Sequence, residues 1–327
     1  MTAPDVLLVS LGATGGLRTA DEQLADALRR AGVDVRVATA RRPREVRTFA
    51  LTDLGWAVAA RRAALQALAE APATAVVYSS VTAALLWPRP GAIRFDAPPA
   101  GNRPGRHGLW QRPLAARRLA RAPLLLPWSE GALAESGLDA TDPRALVLPV
   151  AVAPSGPASS RDIDVIAYAA NPRKKGIDTL LAAWRRVRRP TETLVLAGAD
   201  LDLAGEDDGV SVVGRLAPDA YRALVRRARV FASAARREDY GLAQLEALAD
   251  GCVLATTPSP GPYAALPIAR GLDPRTVDAD VARAVRVALD DPAPDYADRA
   301  AVALERFSPP EVDALVAQRL LPRLLAG

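Results

Sequence analysis

Two glutamates, Glu238 and Glu246, stand eight positions apart in the run Phe231–Gly251. The first follows a strand-like segment, and the second sits among Leu242, Leu245, Ala247, Leu248 and Ala249. On one continuous helix they would be separated by about 12 Å along the axis, from the 1.5 Å rise per residue. That is too far for both carboxylates to act at one atom, but it suits a pair gripping two parts of one ligand. A carboxylate in the apolar company of Glu246 is costly unless it is paired or faces a ligand. A second cluster, Asn171-Pro-Arg-Lys-Lys-Gly-Ile-Asp178, sets Arg173, Lys174 and Lys175 side by side in a loop ahead of a helix. Adjacent cations and backbone N–H donors at a helix start form a site for a diphosphate. A solvated turn is the competing reading, but these are the only lysines among 42 basic residues, so background composition did not choose them.

The turn Gly12-Ala-Thr-Gly-Gly-Leu17 follows the first strand-like run and precedes a helix whose start is marked by Thr19, Asp21 and Glu22. Glycines there let backbone N–H groups approach an anionic or hydroxylic ligand. The spacing is not G-x-G-x-x-G and no acid closes the second strand, which disfavours an NAD-linked oxidoreductase. The single histidine, His107, and Asp96 belong to a segment with six arginines from Arg103 to Arg121 and no acid from Ala97 through Ser129. By itself it reads as a basic surface helix that carries a histidine. Asp200 and Asp202 form an Asp-x-Asp pair, but in a polar run that reads as a solvated loop, so no metal is expected.

These residues need a scaffold, and the chain's alternation of short Val/Ile/Leu runs with longer amphipathic segments predicts strands and crossover helices around parallel sheets, an α/β class. Strands are predicted near Val6–Leu11, Val33–Ala38, Ala73–Tyr78, Ala92–Phe95, Leu124–Leu126 and Ala145–Leu148, then near Asp164–Tyr168, Glu192–Ala197, Val210–Val213, Val230–Ala232 and Cys252–Thr256. The intervening helices include Ala20–Ala31, Gly55–Glu70, Leu109–Arg121, Ile177–Val187, Pro218–Arg227, Leu242–Ala249, Val277–Leu289 and Pro294–Phe307. The proline-broken stretch Ala153–Ser160 reads as a connection between two Rossmann-like domains, 1–152 and 153–308, facing across a ligand cleft at their strand ends. The segment 309–327 carries Val312, Leu315, Val316, Leu320 and Leu324 at the spacing of one helical face, and is expected to pack on a domain surface.

The composition fits this plan. With 327 residues, half of them hydrophobic, the chain is long enough for two cores. A single cysteine, Cys252, excludes a disulfide-stapled fold. No apolar run approaches the roughly 20 residues of a membrane span, and Met1–Asp5 leads into a strand with no basic leader, so the cytoplasm is the expected compartment. Residues 1–152 hold 19 basic and 13 acidic side chains against 23 and 24 in the remainder, which gives the net positive charge to the first half. That suits an acidic or phosphorylated partner or an anionic membrane surface, with the amphipathic stretch Leu109–Leu119 as the candidate for peripheral contact with lipid headgroups.

Taken in order, these motifs resemble the retaining nucleotide-sugar glycosyltransferases of family 4, which have the GT-B fold. The likeness rests on Lys175-Gly176-Ile-Asp-Thr-Leu-Leu181, Val213-Gly214-Arg215-Leu216, the E-x7-E pair Glu238 and Glu246, the run Glu246–Thr256, Ser259-Pro-Gly-Pro262 and Phe307-Ser308, with Gly15-Gly16 and Trp128-Ser129-Glu130 in the first half. The resemblance implies a hexosyltransferase-type enzyme that moves a sugar from a nucleotide-diphosphate sugar to a sugar, lipid-linked or small-molecule acceptor, with no separate cofactor and no nucleic acid partner. It implies that Glu246 holds the ribose, Glu238 the donor sugar and Lys175 the diphosphate. Gly15, Gly16, Arg173, Lys174, Gly214, Arg215, Gly241, Leu242 and Gly261 would complete the donor site. The catalytic set is then Glu238 and Lys175, with His107 and Asp96 on the acceptor side. The family's Gly-Arg pair, five to six residues before Lys-Gly, is here Ala169-Ala170, so Arg173 or Lys174 would substitute. The alternative is a nucleotide-sugar binding protein impaired in catalysis.

Overall fold

The computed structural model describes residues 5–44, 46, 48–201 and 209–326, with the side chain of His107 and residue Asp202 outside that set. It divides into two compact units, Met1–Ala151 with Pro309–Gly327, and Val152–Ser308.

The first unit is built on β1 (Val6–Ser10), β2 (Val35–Thr39), β3 (Ala75–Tyr78), β4 (Ala92–Phe95) and β5 (Leu125–Pro127), all parallel in the order β2-β1-β3-β4-β5. Both faces are covered, as a parallel sheet requires. Leu7 and Val9 of β1 pack with Ala57, Ala60, Ala64 and Ala67 of the helix Phe49–Glu70, an alanine stripe that brings the helix close to the strands. Val6 and Leu8 point the other way, to Leu24 and Leu28 of the helix Gly15–Arg30. Val316, Leu320 and Leu324 join that second face, so the helical end of the chain, Pro309–Leu325 with a π-turn at Val316–Leu320, completes the core of the first unit. Arg30 clasps Asp313 with two hydrogen bonds of 2.7 Å.

The predicted strand at Ala145–Leu148 is only an isolated bridge from Ala145 to Leu125, although Leu146 and Leu148 donate to the carbonyls of Leu125 and Pro127. Pro127 has no N–H to return the bond, which stops a second ladder there. The amphipathic stretch Leu109–Leu119 does not present its apolar face to lipid. Ala115 and Leu119 of the helix Gln111–Arg121 are buried in the sheet core, and Trp110 and Leu114 pack against it, leaving Leu109 exposed. An apolar stripe beside an uncovered sheet face gains more by packing there than by facing water. Asp53 anchors the same region, taking Arg103 at 2.7 and 3.0 Å and Gln111 at 3.3 Å. No described helix is long and apolar enough to cross a membrane.

The second unit repeats the plan with β6 (Ile163–Tyr168), β7 (Leu194–Ala197), β8 (Val210–Gly214), β9 (Ala228–Ser233) and β10 (Val253–Thr256), parallel in the order β10-β9-β6-β7-β8. Val165, Ala167, Leu194, Leu196, Val230 and Ala232 pack against Leu180 and Trp184 on one helix and Val285 and Leu289 on another. The strand order reverses between β6 and β9, the switch point at which open α/β sheets bind ligands beyond the strand ends. The predicted helix at Val277 begins instead at Val281, capped by Asp280, because Val277 bridges to Thr256. A helix at Ala265–Leu272 was not predicted.

Candidate functional site

The loops that leave β6 and β9 flank that switch point, and each carries one half of the predicted chemistry. Asn171–Gly176 is not an open loop. Pro172–Lys175 forms one helical turn, with Asn171 accepting from the Lys174 N–H at 3.0 Å and Gly176 reversing the chain at φ +63°. A Cβ on Gly176 would stand 2.0 Å from the Ala234 carbonyl oxygen, so only glycine lets the β6 and β9 segments approach this closely. The approach pairs the two lysines with two acids after β9. Lys175 Nζ lies 2.7 Å from Glu238 Oε2 and Lys174 Nζ 2.6 Å from Asp239 Oδ2.

Glu238 is 5% exposed. Its Oε2 also accepts from Gln244 Nε2 at 2.9 Å, and that same amide donates to Ser233 Oγ at 3.1 Å. Its main chain is set by the loop after β10, since the Glu238 N–H donates to the Pro260 carbonyl at 3.0 Å. Gly261, at φ +110°, passes so near that a Cβ would meet the Glu238 carbonyl oxygen at 2.3 Å. Burial alone would raise the Asp239 carboxyl, but Lys174 and Arg237 together hold it below its ordinary value. Gly241 turns the chain at φ +87° into the helix Leu242–Ala249, against the ring of Tyr263.

Glu246 lies within that helix, with Arg222 Nη1 3.5 Å away. Burial raises its carboxyl above the ordinary value, Arg222 opposing and Asp250 reinforcing the shift. Arg222 also binds Asp250 at 2.7 Å and the Ala153 carbonyl at 2.9 Å. Asp250 in turn accepts from the N–H and hydroxyl of Ser155 at 2.7 and 2.9 Å. Glu246 is thus tied through one guanidinium to the opening stretch of its own unit. The rings of Tyr168 and Tyr221 meet beside it, tilted by 56° with centroids 5.3 Å apart, and the Lys175 ammonium lies 5.9 Å over the Tyr168 ring. Burial, and then the charge of Glu246, pushes the Tyr221 hydroxyl well up; it has no hydrogen-bond partner among the described residues.

Glu238, Lys175, Lys174, Gly241, Leu242, Glu246 and Gly261 therefore gather beyond the strand ends of the second unit. Gly214 closes β8 at φ +65° against Asp200, with Arg215 exposed beyond it. Arg173 and Ala170 are exposed. Arg222, Gln244, Asp239, Tyr168 and Tyr221 were not anticipated. Glu246 and Asp250, like charges at i and i+4, did signal a need for a cation, but nothing local names Arg222 as its source.

In the first unit Gly15 and Gly16 are not a loop but the exposed first turn of the helix Gly15–Arg30, capped by Thr14, which accepts from the Leu17 N–H at 3.3 Å. The turn residue is Gly12, at φ +56°. Buried Asp21 anchors this turn, accepting from Ser10 Oγ at 2.5 Å, and burial lifts its carboxyl above the ordinary value. Asp96 follows β4 and accepts from the Ala97 N–H at 2.8 Å. His107, on a 3-10 turn, is predicted at the same site, but its side chain lies outside the described residues. Among the described residues no group of three or more His, Cys, Asp or Glu side chains could hold a metal ion.

Residues 163–291 match the family model described as Glycosyl transferases group 1. No curated protein sequence matches the chain. Among solved structures the chain is similar to sucrose-phosphate synthase from Thermosynechococcus elongatus, at 17% identity and TM-score 0.72 over 98% of this chain and 99% of that one. It is similar to WaaG, a glycosyltransferase involved in lipopolysaccharide biosynthesis, at 18% identity and TM-score 0.70 over 96% and 99%. A third is the UDP-forming α,α-trehalose-phosphate synthase from Burkholderia xenovorans, at 14% identity and TM-score 0.69 over 98% and 100%. At such identities the likeness is one of fold. The chain has the GT-B fold, and its residues 163–291 are similar to the group 1 glycosyl transferases.

Proposed function

We propose that the protein is a hexosyltransferase-type enzyme that moves a sugar from a nucleotide-diphosphate sugar to an acceptor hydroxyl, with retention of anomeric configuration and without a metal. The observation that carries this reading is the meeting of Lys175 with Glu238 at the switch point, in the same strand-end region as Glu246. Glu246 accepts from the ribose hydroxyls, Glu238 from the sugar hydroxyls, and Lys175 faces the diphosphate, with Arg173, Lys174 and Arg215 as further cations. Gly214, Gly241, Leu242 and Gly261 shape the pocket, and the exposed turn Gly15-Gly16 offers N–H groups to the phosphates.

In the reaction the acceptor oxygen bonds to the anomeric carbon while the bond from that carbon to the β-phosphate oxygen breaks. The electron pair stays on the diphosphate. Fixed cations there stabilise the transition state more than the ground state, which is what accelerates the step. The hydroxyl proton must leave with it, and Asp96 and His107 are the assigned acceptor-side groups.

The competing reading, a binding protein without turnover, draws on Ala170, exposed and uncharged where the resemblance implies arginine. Incubation with UDP-, GDP-, ADP- and TDP-sugars separates the two, UDP-sugars first because one structural neighbour is a UDP-forming enzyme. Slow nucleotide release that disappears in Glu238→Ala and Glu246→Ala supports the enzyme. Binding without release from any donor supports the binding protein, and neither binding nor release sinks both.

A further inference from the structure

An open groove of about 650 Å³ runs between the segment after β2 and the helix Phe49–Glu70. Arg41, Arg44 and Arg62 line it together with Leu51, Leu54 and Val58, and Arg42 lines it as well. A second hollow of about 430 Å³ shares Arg42, Pro43, Arg44 and Val46 with the first and reaches Thr14, the cap of the helix Gly15–Arg30. No aspartate or glutamate lines either hollow among the described residues.

Arg41, Arg44 and Arg62 differ from many arginines of this unit. Elsewhere in this unit Arg30 is held by Asp313, Arg89 by the carbonyls of Ala73 and Thr74, Arg103 by Asp53, and Arg144 by Asp142. The basic run Arg103–Arg121, the obvious anion site by sequence, is partly consumed in the same way. Arg112 donates to the Gly105 and Gly108 carbonyls and Arg118 to that of Leu85. Arg41, Arg44 and Arg62 make no ion pair or hydrogen bond among the described residues. Beside them Leu51 is 55% exposed and Leu54 38%, although the opposite face of their helix is buried in the core. Unpaired guanidinium groups next to uncovered large apolar side chains ask for a ligand with both a phosphate and an apolar body. A free sugar phosphate would leave Leu51, Leu54 and Val58 in water. A neutral glycan would leave the arginines without a counter-charge.

We propose that this groove binds the acceptor, and that the acceptor is an anionic lipid: its phosphate at Arg41, Arg44 and Arg62, its apolar part on Leu51, Leu54 and Val58, and its reacting end toward Thr14. The proposal rests on the sugar-transfer reading above only for the word acceptor; the binding chemistry stands on the groove.

The test is equilibrium binding to the full chain, followed by the fluorescence of its tryptophans, of which Trp56 lines the second hollow. The probes are dihexanoyl phosphatidic acid, glucose 6-phosphate (phosphate without the apolar part) and octyl glucoside (the apolar part without phosphate). Phosphatidic acid is expected to bind at least about tenfold tighter than either half-probe, a gap of about 1.4 kcal/mol, and to weaken with salt. Arg41→Ala with Arg44→Ala, and separately Leu51→Asn with Leu54→Asn, should each remove that advantage. Arg117→Ala with Arg121→Ala, on the other basic helix, should leave it intact. Glucose 6-phosphate binding as tightly as phosphatidic acid, or indifference to the groove variants, overturns the proposal. Donor turnover is read separately: phosphatidic acid binding in a chain that turns over no donor keeps the groove and removes the transferase reading, while turnover without lipid binding removes the groove alone.

Discussion

Lys175 Nζ lies 2.7 Å from Glu238 Oε2 although the two residues are 63 positions apart, and the same carboxylate oxygen accepts from Gln244 Nε2 at 2.9 Å. The lysine and glutamate side chains are 18% and 6% exposed, so each charge depends on the other for its partner. Under the sugar-transfer function proposed above, this contact would set the diphosphate and the sugar of the donor side by side.

Replacing Lys175 with alanine leaves Glu238 largely buried without its cation. The fold should lose about 2 kcal/mol, below the roughly 3–5 kcal/mol of a fully buried pair because the lysine is partly in water. Nucleotide release should fall at least about 100-fold through lost stabilisation of the leaving diphosphate. Urea denaturation and single-turnover release report the two effects separately. Release that falls only in proportion to the unfolded fraction would make Lys175 structural.

Glu246 predicts a pH dependence. Its carboxyl is raised by burial, so on folding it takes up protons between its ordinary value and its folded one. In that window it detracts from stability as pH rises and ceases to do so as pH falls. Nucleotide binding through the carboxylate runs the opposite way, weakening as pH drops through the raised value. Arg222→Met should move that midpoint up and Asp250→Asn should move it down, read by calorimetric titration between about pH 4 and pH 8. Tyr168 and Tyr221 also face Glu246 but stay protonated throughout that range, both hydroxyls being raised. Identical midpoints in wild type and Arg222→Met would remove Arg222 from any role at Glu246.

Gly261→Ala forces a Cβ to within 2.3 Å of the Glu238 carbonyl oxygen at φ +110°. The strain should cost about 1–3 kcal/mol and displace the Glu238 main chain, so activity should fall further than thermal stability does. Gly15→Ala, where a Cβ would meet nothing within 4 Å, should leave the melting temperature nearly unchanged. Equal losses of stability at both positions would contradict this geometry.

Asp53→Ala strips Arg103 and Gln111 of their shared acceptor on a side chain only 8% exposed. Unfolding should become easier by about 2–3 kcal/mol. The midpoint of urea denaturation of the full chain reads the loss. A variant as stable as the parent would show that the ion pair is dispensable.

Ala170→Arg adds a cation at an exposed position between β6 and the Lys175 turn. Donor affinity or turnover should rise by up to about tenfold, from one charge-assisted phosphate contact. No gain would mean that the existing lysines already satisfy the diphosphate.

Much of this molecule follows from local pattern. Alternating apolar runs mark the strands, helical periodicity marks Ile177–Val187 and Pro309–Leu325, and the adjacent cations Arg173–Lys175 and the pair Glu238 and Glu246 mark candidate ligand contacts. These are signals between near neighbours in the chain, which periodicity records. The partners are another matter. That Lys174 meets Asp239 and Lys175 meets Glu238, that Arg222 serves both Glu246 and Asp250, and that Arg103 belongs to Asp53 are consequences of strand order and of helices returning across the sheet. The same packing decided what the basic, amphipathic helix Gln111–Arg121 does. Its apolar face met an uncovered sheet and was buried, while Arg41 and Arg44, after β2, line an open groove. Composition put positive charge in the first half of the chain, and only the tertiary contacts determined which arginines are neutralised within the fold and which stay available to a ligand.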